Sequence, residues 1–201
     1  MKSQIQTVVL ENPYLVGGHP ALDLLNTVPR IDGELVDTLQ SDQDVVQWLA
    51  AVGWPLEHEA RSSKTLSLLS TARALRDTIR TLVERLKAGK RADVEPLNIF
   101  LDEARSSLKL VSSGREGISL ERQWMRSTPQ QVLAPIAESS AELIAFGDLE
   151  RVRQCEDEAC VLWFYDRTKS HHRRWCSVST CGNRNKVKAF RERKGQASQQ
   201  R

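Results

Sequence analysis

"RRWCSVSTCGNR", residues 173–184, sets Cys176 and Cys181 among basic side chains with four residues between them. "NKVKAFRERKG" (185–195) follows, with more lysine and arginine at helical spacing. A second pair, Cys155 and Cys160, has the same spacing, and fifteen residues separate Cys160 from Cys176. These four are the chain's only cysteines, and the first 154 residues contain none. Cysteines used as core filler would scatter, whereas two equally spaced pairs point to a shared task. A turn that separates two thiolates by two to four residues can aim both at one ion, and four thiolates close the tetrahedral shell of a structural Zn²⁺. The expectation is one structural zinc held by Cys155, Cys160, Cys176 and Cys181, with no open position for catalysis. An iron–sulfur cluster takes the same donors and stays open at this level.

Other uses of the thiols fit less well. A thioredoxin-like site wants Cys-x-x-Cys beside a βαβ pattern, and neither is present. Disulfides belong to oxidising compartments. The start, "MKSQIQTVVLENPY" (1–14), lacks the apolar stretch of a secretory signal, and no apolar run approaches the roughly 18–20 residues of a membrane helix. A cytoplasmic protein without a membrane segment is expected. About fifty residues around the cysteines can bury little core, so a metal would replace the missing apolar stabilisation. Trp163, Phe164 and Tyr165 are expected to pack that small core with alternate members, stacking on bases being the other reading. His171 and His172 could ligate, but with four thiolates present they are expected at the surface, where they could meet phosphate.

Charge divides the chain as the cysteines do. From Arg151 onward there are 13 lysines and arginines against 5 acids, net +8, while the first 150 residues carry 16 against 21, net −5. A mildly acidic body joined to a compact basic end is the electrostatic footprint of a nucleic-acid partner, although anionic lipid or an acidic protein also fits.

The body reads as mostly helical with a minor sheet. Short β-leaning stretches and turns fill residues 8–38, including Gly17-Gly18-His19-Pro20 and Asp32-Gly33, around a short helix or buried segment, "ALDLLNTV" (21–28). Ser41-Asp42 caps a helix that carries Val45, Val46, Trp48, Leu49 and Val52 and stops at Gly53. From Lys64 to Ala88, leucines at positions 66, 69, 75, 82 and 86 and Ile79 recur at three- and four-residue steps, predicting an amphipathic helix ended by Gly89. A helix is predicted from Pro96 to Leu108, and "LKLVSSGREGISLERQW" (108–124) alternates as a β-hairpin does. Thr128-Pro129 opens a last body helix that Gly147 ends. Beyond Gly147-Asp148, "LERVRQC" and "VLWFYD" read as two strands around a cysteine-bearing turn, and residues 178–194 as a helix whose Val187 and Phe190 share a narrow apolar stripe. Residues 195–201 are expected to be a flexible tail.

"RVRQCEDEACVLWFYDRT" and "RRWCSVSTCGNRNKVKAFRER" together resemble the CGNR zinc finger, whose namesake tetrad is Cys181-Gly182-Asn183-Arg184. "GGHPALDLLNTV", the "WLAAVGW" helix end and the long Leu/Arg helix are similar to the ABATE domain that precedes that finger. The resemblance covers nearly the whole chain. It implies an α+β protein of bacterial type, with a mostly helical ABATE-like domain over residues 1–147 and a treble-clef-like four-cysteine finger over residues 148–194. It further implies a stress-induced transcription regulator, with the four cysteines as zinc ligands and Arg184 and its basic neighbours as DNA contacts.

On that reading the finger helix carries Arg184, Lys186, Lys188, Arg191, Arg193 and Lys194 toward a major groove, while Arg173 and Arg174 hold the flanking phosphates. About six neutralised phosphates would give a log–log salt slope near −5. Solvated surface charge is the alternative for such a run. Arg184 could equally pair with Asp166 across the finger, Asn183 could hydrogen-bond a backbone group or a sulfur, and Gly182 would allow close backbone packing. A single finger specifies few base pairs, so a homodimer would be needed for selectivity. The amino-terminal domain is expected to sense a small ligand or to dimerise. His19, Asp23 and Asn26 are candidates to line a ligand pocket, against the reading of a tight turn and a capped, hydrogen-bonded segment. No nucleophile accompanies them, so an enzyme is not expected. The rival function is a protein- or RNA-interaction module.

Overall fold

Local capping chemistry sets the first long helix of the body. Ser41 accepts a hydrogen bond from the Asp44 N–H while the Asp44 carboxylate accepts from the Ser41 N–H, a reciprocal box that starts α2 (Asp42–Ala51). Gly53, at φ +97°, turns the chain out of it. The structure, a computed structural model, describes residues 14–56, 67–112 and 117–199, without the side chains of 195–199. Residues 8–13, the start of the predicted Lys64–Ala88 helix and the hairpin turn 113–116 lie outside the described residues.

The described helix α3 (Leu68–Lys87) opens on the Ser67 cap and buries Thr71, Ala72, Leu75, Arg76, Ile79, Leu82 and Val83, the three–four periodicity of a one-sided core helix. α4 (Glu95–Asp102) starts one residue before the predicted Pro96, which lies in its first turn, and it stops at Asp102 and not at Leu108. Residues 106–112 instead form β3 (Ser106–Ser112), paired antiparallel with β4 (Ile118–Trp124) over seven register pairs. Leu108 faces Arg122 in that ladder, so its apolar spacing belongs to a strand. α5 (Pro129–Phe146) starts on the Thr128 cap and ends at Gly147. Val45, Trp48, Leu49, Leu75, Ile79, Leu133 and Ile136 are all buried and form the core of this unit.

The chain divides into two compact units, and the described part of the first is 38–56, 67–112 and 117–149. The second joins Glu150–Arg201 to Tyr14–Asp37, so this early segment, which sequence reading assigns to the body, is built into the carboxy-terminal lobe. It supplies α1 (Pro20–Leu25) and a two-residue-strand hairpin, β1 (Arg30–Ile31) and β2 (Glu34–Leu35). Asp32 and Gly33 turn that hairpin, both at positive φ. The late segment supplies β5 (Val152–Gln154), β6 (Trp163–Tyr165), a π turn at Val178–Gly182 and α6 (Asn183–Gln199). An antiparallel β5–β6 knuckle followed by a helix is the treble-clef-like arrangement expected. α6 continues to Gln199, into the stretch expected to be a flexible tail. The architecture is α+β, and no helix among the described residues is long and apolar enough to cross a membrane.

Candidate metal centre

Backbone hydrogen bonds place the first cysteine pair. Cys155 follows β5, with its N–H donated to the Leu162 carbonyl at 2.8 Å. Asp157 then turns the chain by accepting the Ala159 N–H, and the Cys160 N–H closes onto the Asp157 carbonyl. The second pair is set by Ser177, whose hydroxyl accepts the Thr180 N–H and caps the π turn that carries Cys181. Gly182 sits where a side chain would crowd the Trp175 ring, with a Cβ 3.2 Å from Trp175 Cδ1. Asn183 donates to the Ser179 carbonyl, the backbone role foreseen for it.

All four Sγ atoms lie within 4.8 Å of one another. Two edges of the cluster, Cys160–Cys176 and Cys176–Cys181, measure 3.7 and 3.6 Å. Four sulfurs about 2.3 Å from one Zn²⁺ in a tetrahedron stand about 3.8 Å apart, so these edges have the length that zinc requires. A disulfide needs about 2.05 Å. The Cys176 N–H points at Cys155 Sγ, 3.4 Å away, a donor suited to a thiolate. Cys155, Cys176 and Cys181 are buried with Leu162 and Phe164, and Val16, Cys160 and Trp175 pack against that cluster. The residues therefore fit one structural Zn²⁺, closed on all four sides.

The thiols' own proton affinities agree. The Cys176 thiol hydrogen-bonds Cys160 and holds it as a thiolate, with a pKa of about 5, while Cys176 itself is pushed far up. Burial, and then the Cys160 charge, lifts Cys181 to about 12. Left alone, the cluster shares protons because it cannot hold several negative charges together. A dication removes that conflict, so metal entry releases protons.

Buried carboxylates brace the finger. Asp166, 1% exposed, accepts the Thr168 hydroxyl and N–H and the Arg173 N–H. Burial alone would raise its pKa, but these bonds and the nearby Arg153 bring it down to about 2. Asp157, 4% exposed, accepts from Arg184 at 3.1 Å and Asn185 at 2.8 Å and so fixes the base of α6. Arg184 thus pairs with Asp157, not with Asp166, because Asp166 is already saturated.

The candidate cations separate into two groups. Arg173 stacks on Phe164 at 4.3 Å and donates to the carbonyls of Trp175 and Cys176, a strut inside the lobe. Arg174 lies over Trp175 and pairs with Glu156, and Lys188 pairs with Glu158 at 2.6 Å. Lys186, Arg191 and Arg193 are exposed on α6 with no ion pair among the described residues, and Lys194 is exposed beside them. The acidic run Glu156-Asp157-Glu158, between the first two cysteines, is thus what anchors the paired cations. Its position among so many arginines was the signal available for it. Val187 and Phe190, expected to share a stripe, are 48% and 60% exposed. Trp163 and Phe164 are both buried, so adjacent members of the triplet enter the core where alternate ones were expected. His171 and His172 are exposed and stand apart from the sulfur cluster, with His171 against the Arg151 guanidinium.

His19, Asp23 and Asn26 fall in the same lobe, each with a structural partner. His19 Nδ1 accepts the Ala21 N–H and caps α1, and Asp23 accepts the Gly17 N–H at 2.8 Å. A Cβ on Gly17 would stand 2.8 Å from that carboxylate, so only glycine fits. Asn26, 1% exposed, donates to the Trp163 carbonyl at 2.9 Å and accepts the Trp163 N–H at 2.7 Å. It pairs with β6 as a strand would. The Tyr165 N–H reaches the Gly17 carbonyl, and Arg167 the Gly18 carbonyl. None of these pairings to β6 and its flank has a local sequence signal, since they span more than a hundred residues.

Two family models match the chain. One, ABATE, described as "Putative stress-induced transcription regulator", covers residues 18–147. The other, described as "CGNR zinc finger", covers residues 151–194. Comparison with curated proteins gave no match.

Proposed function

Since the chain belongs to the ABATE family, described as "Putative stress-induced transcription regulator", and carries a CGNR zinc finger, we propose that it acts by binding duplex DNA through the outward side of α6. The observation that carries this is the sorting of charge on that helix. Arg184, Asn185 and Lys188 turn toward Asp157 and Glu158 and fix the helix on the zinc knuckle. Lys186, Arg191 and Arg193 are left for a polyanion, and Lys194 lies beside them. Zinc and Asp157 set the direction of the helix, and the exposed cations meet phosphate oxygens on either side of a groove. Arg174, at the rim, adds a contact if it exchanges Glu156 for phosphate.

Contacts from Lys186, Arg191, Arg193 and Arg174 make four phosphates, fewer than the roughly six expected from the sequence, and give a log–log salt slope near −3.6. Fluorescence anisotropy of a labelled duplex, titrated with the zinc-loaded chain at several salt concentrations, tests this. The expected results are that slope and a marked loss of affinity in a Lys186→Ala, Arg191→Ala, Arg193→Ala triple variant that keeps its zinc. No binding at low salt, or equal binding by the variant, defeats the proposal.

A second reading has its own observation. Val187 and Phe190 stand exposed among the cations of α6, a mixture that suits an acidic protein surface with apolar pockets. Ultraviolet absorbance of the purified chain separates the two: bound nucleic acid favours the first, a stoichiometric protein partner the second. The amino-terminal body is proposed to regulate this contact by small-ligand sensing or by dimerisation, and no catalytic role is proposed for either part.

A further inference from the structure

The β3–β4 hairpin has two dissimilar faces. Side chains alternate across a strand, and cross-strand partners share a face. The register Leu108↔Arg122, Leu110↔Leu120 and Ser112↔Ile118 therefore gathers Leu108, Leu110, Ile118 and Leu120 on one side. The other side carries the Lys109↔Glu121 pair together with Ser107, Ser119, Gln123 and a half-buried Val111. In a solitary chain the apolar side should be the covered one. Instead Leu108, Leu110, Ile118 and Leu120 are 63, 70, 75 and 62% exposed. The one charged group on that face, Arg122, is already engaged by Glu138 and Ser106 and lies over Trp124.

A two-stranded ribbon is marginal in water unless a face is packed against something. We propose that this face is covered by the same face of a second copy of the chain, making a two-fold dimer through the hairpins. Size supports that occupant. The four side chains present roughly 500 Å² of apolar surface, as large as the patches that monomers usually tolerate. Two copies face to face remove about 1,000 Å² from water before any neighbour is counted, the area at which specific interfaces begin. Chemistry supports it as well. Among the described residues the face offers no unpaired charge to select a different partner, and its four aliphatic side chains are complementary to a second copy of themselves. A two-fold axis then sets the central Leu110 and Leu120 of each copy against those of the other.

The test is the mass in solution of the full, zinc-loaded chain, by sedimentation or light scattering from about 1 to 100 µM. The wild type is expected at twice the 22.7 kDa chain mass. A Leu110→Lys substitution enters a two-fold interface twice and buries unpaired charge, so it is expected to raise the dissociation constant by about 100-fold or more and to return the mass to one chain. Lys109→Ala, on the other face, is expected to leave the dimer intact. Should Leu110→Lys lose its native circular dichroism, Leu120→Ser takes its place. A wild type that is monomeric throughout, a substituted chain that still dimerises, or a monomer that instead co-sediments with phospholipid vesicles overturns the proposal. None of these outcomes depends on whether α6 binds DNA.

Discussion

Replacing Asn26 by alanine should loosen the zinc site, although Asn26 is not a ligand and lies 137 residues before Trp163, its partner. The side chain satisfies both the N–H and the C=O of Trp163 in a buried position, with bonds of 2.7 and 2.9 Å. Alanine leaves both groups unpaired and dry. Each such orphan costs about 1–3 kcal/mol, so the lobe should lose about 2–6 kcal/mol. Zinc binds only the folded lobe, so that loss appears in the apparent metal affinity, where about 1.4 kcal/mol is a factor of ten. A chelator competition should therefore show zinc held about 30-fold or more weakly, with a matching fall in thermal stability. Asn98→Ala, which removes only an exposed bond to Glu95 on α4, is the control and should leave zinc affinity unchanged. An Asn26→Ala chain that holds zinc within about threefold of wild type would refute the assignment of this segment to the metal lobe.

Two further perturbations follow from the same lobe. Burial lifts the Asp23 carboxyl to about 6, against the downward pull of the Gly17 N–H, so the folded chain holds this proton more tightly than the unfolded chain does. Its contribution to stability is present below about pH 4 and is lost as pH rises through about 6. Asp23→Asn, which can still accept from Gly17, should gain about 1–2 kcal/mol over wild type at pH 8 after allowance for solvent screening, and little at pH 4. Chemical denaturation across that range checks this, and a difference that is flat with pH contradicts it. Arg173→Ala should weaken zinc retention and DNA binding together, because it removes the ring stacking and the donors to the Trp175 and Cys176 carbonyls. Lys186→Ala should weaken DNA binding alone, and parallel measurement of zinc content and anisotropy tells the two apart.

What was legible in the sequence was what is local. Ser41 and Thr128 announce their helices because a cap needs only residues within one turn. The four cysteines announce the metal because a knuckle brings two ligands together within six residues. Leu108 misled because one apolar residue fits a three–four step and an alternating step equally well, and only the seven-pair ladder decides between them. Arg173 and Arg184 could not be sorted from Lys186 in advance. A cation's sequence neighbours do not reveal whether a carbonyl, a buried carboxylate or water receives it. The pairing of Asn26 with Trp163 was out of reach for the same reason, since hydrogen bonds between distant segments leave no period to detect.

The clasp between Asn26 and β6 has a consequence for biosynthesis. A ribosome delivers residues 14–37 early, and these wait, without their partners on β6, until residues 163–167 have emerged. Metal loading is then a late event, because Cys181 and β6 leave the ribosome well over a hundred residues after Asn26. By the same logic, a fragment cut at residue 148 to isolate the cysteine-bearing portion would lack one wall of its own interior.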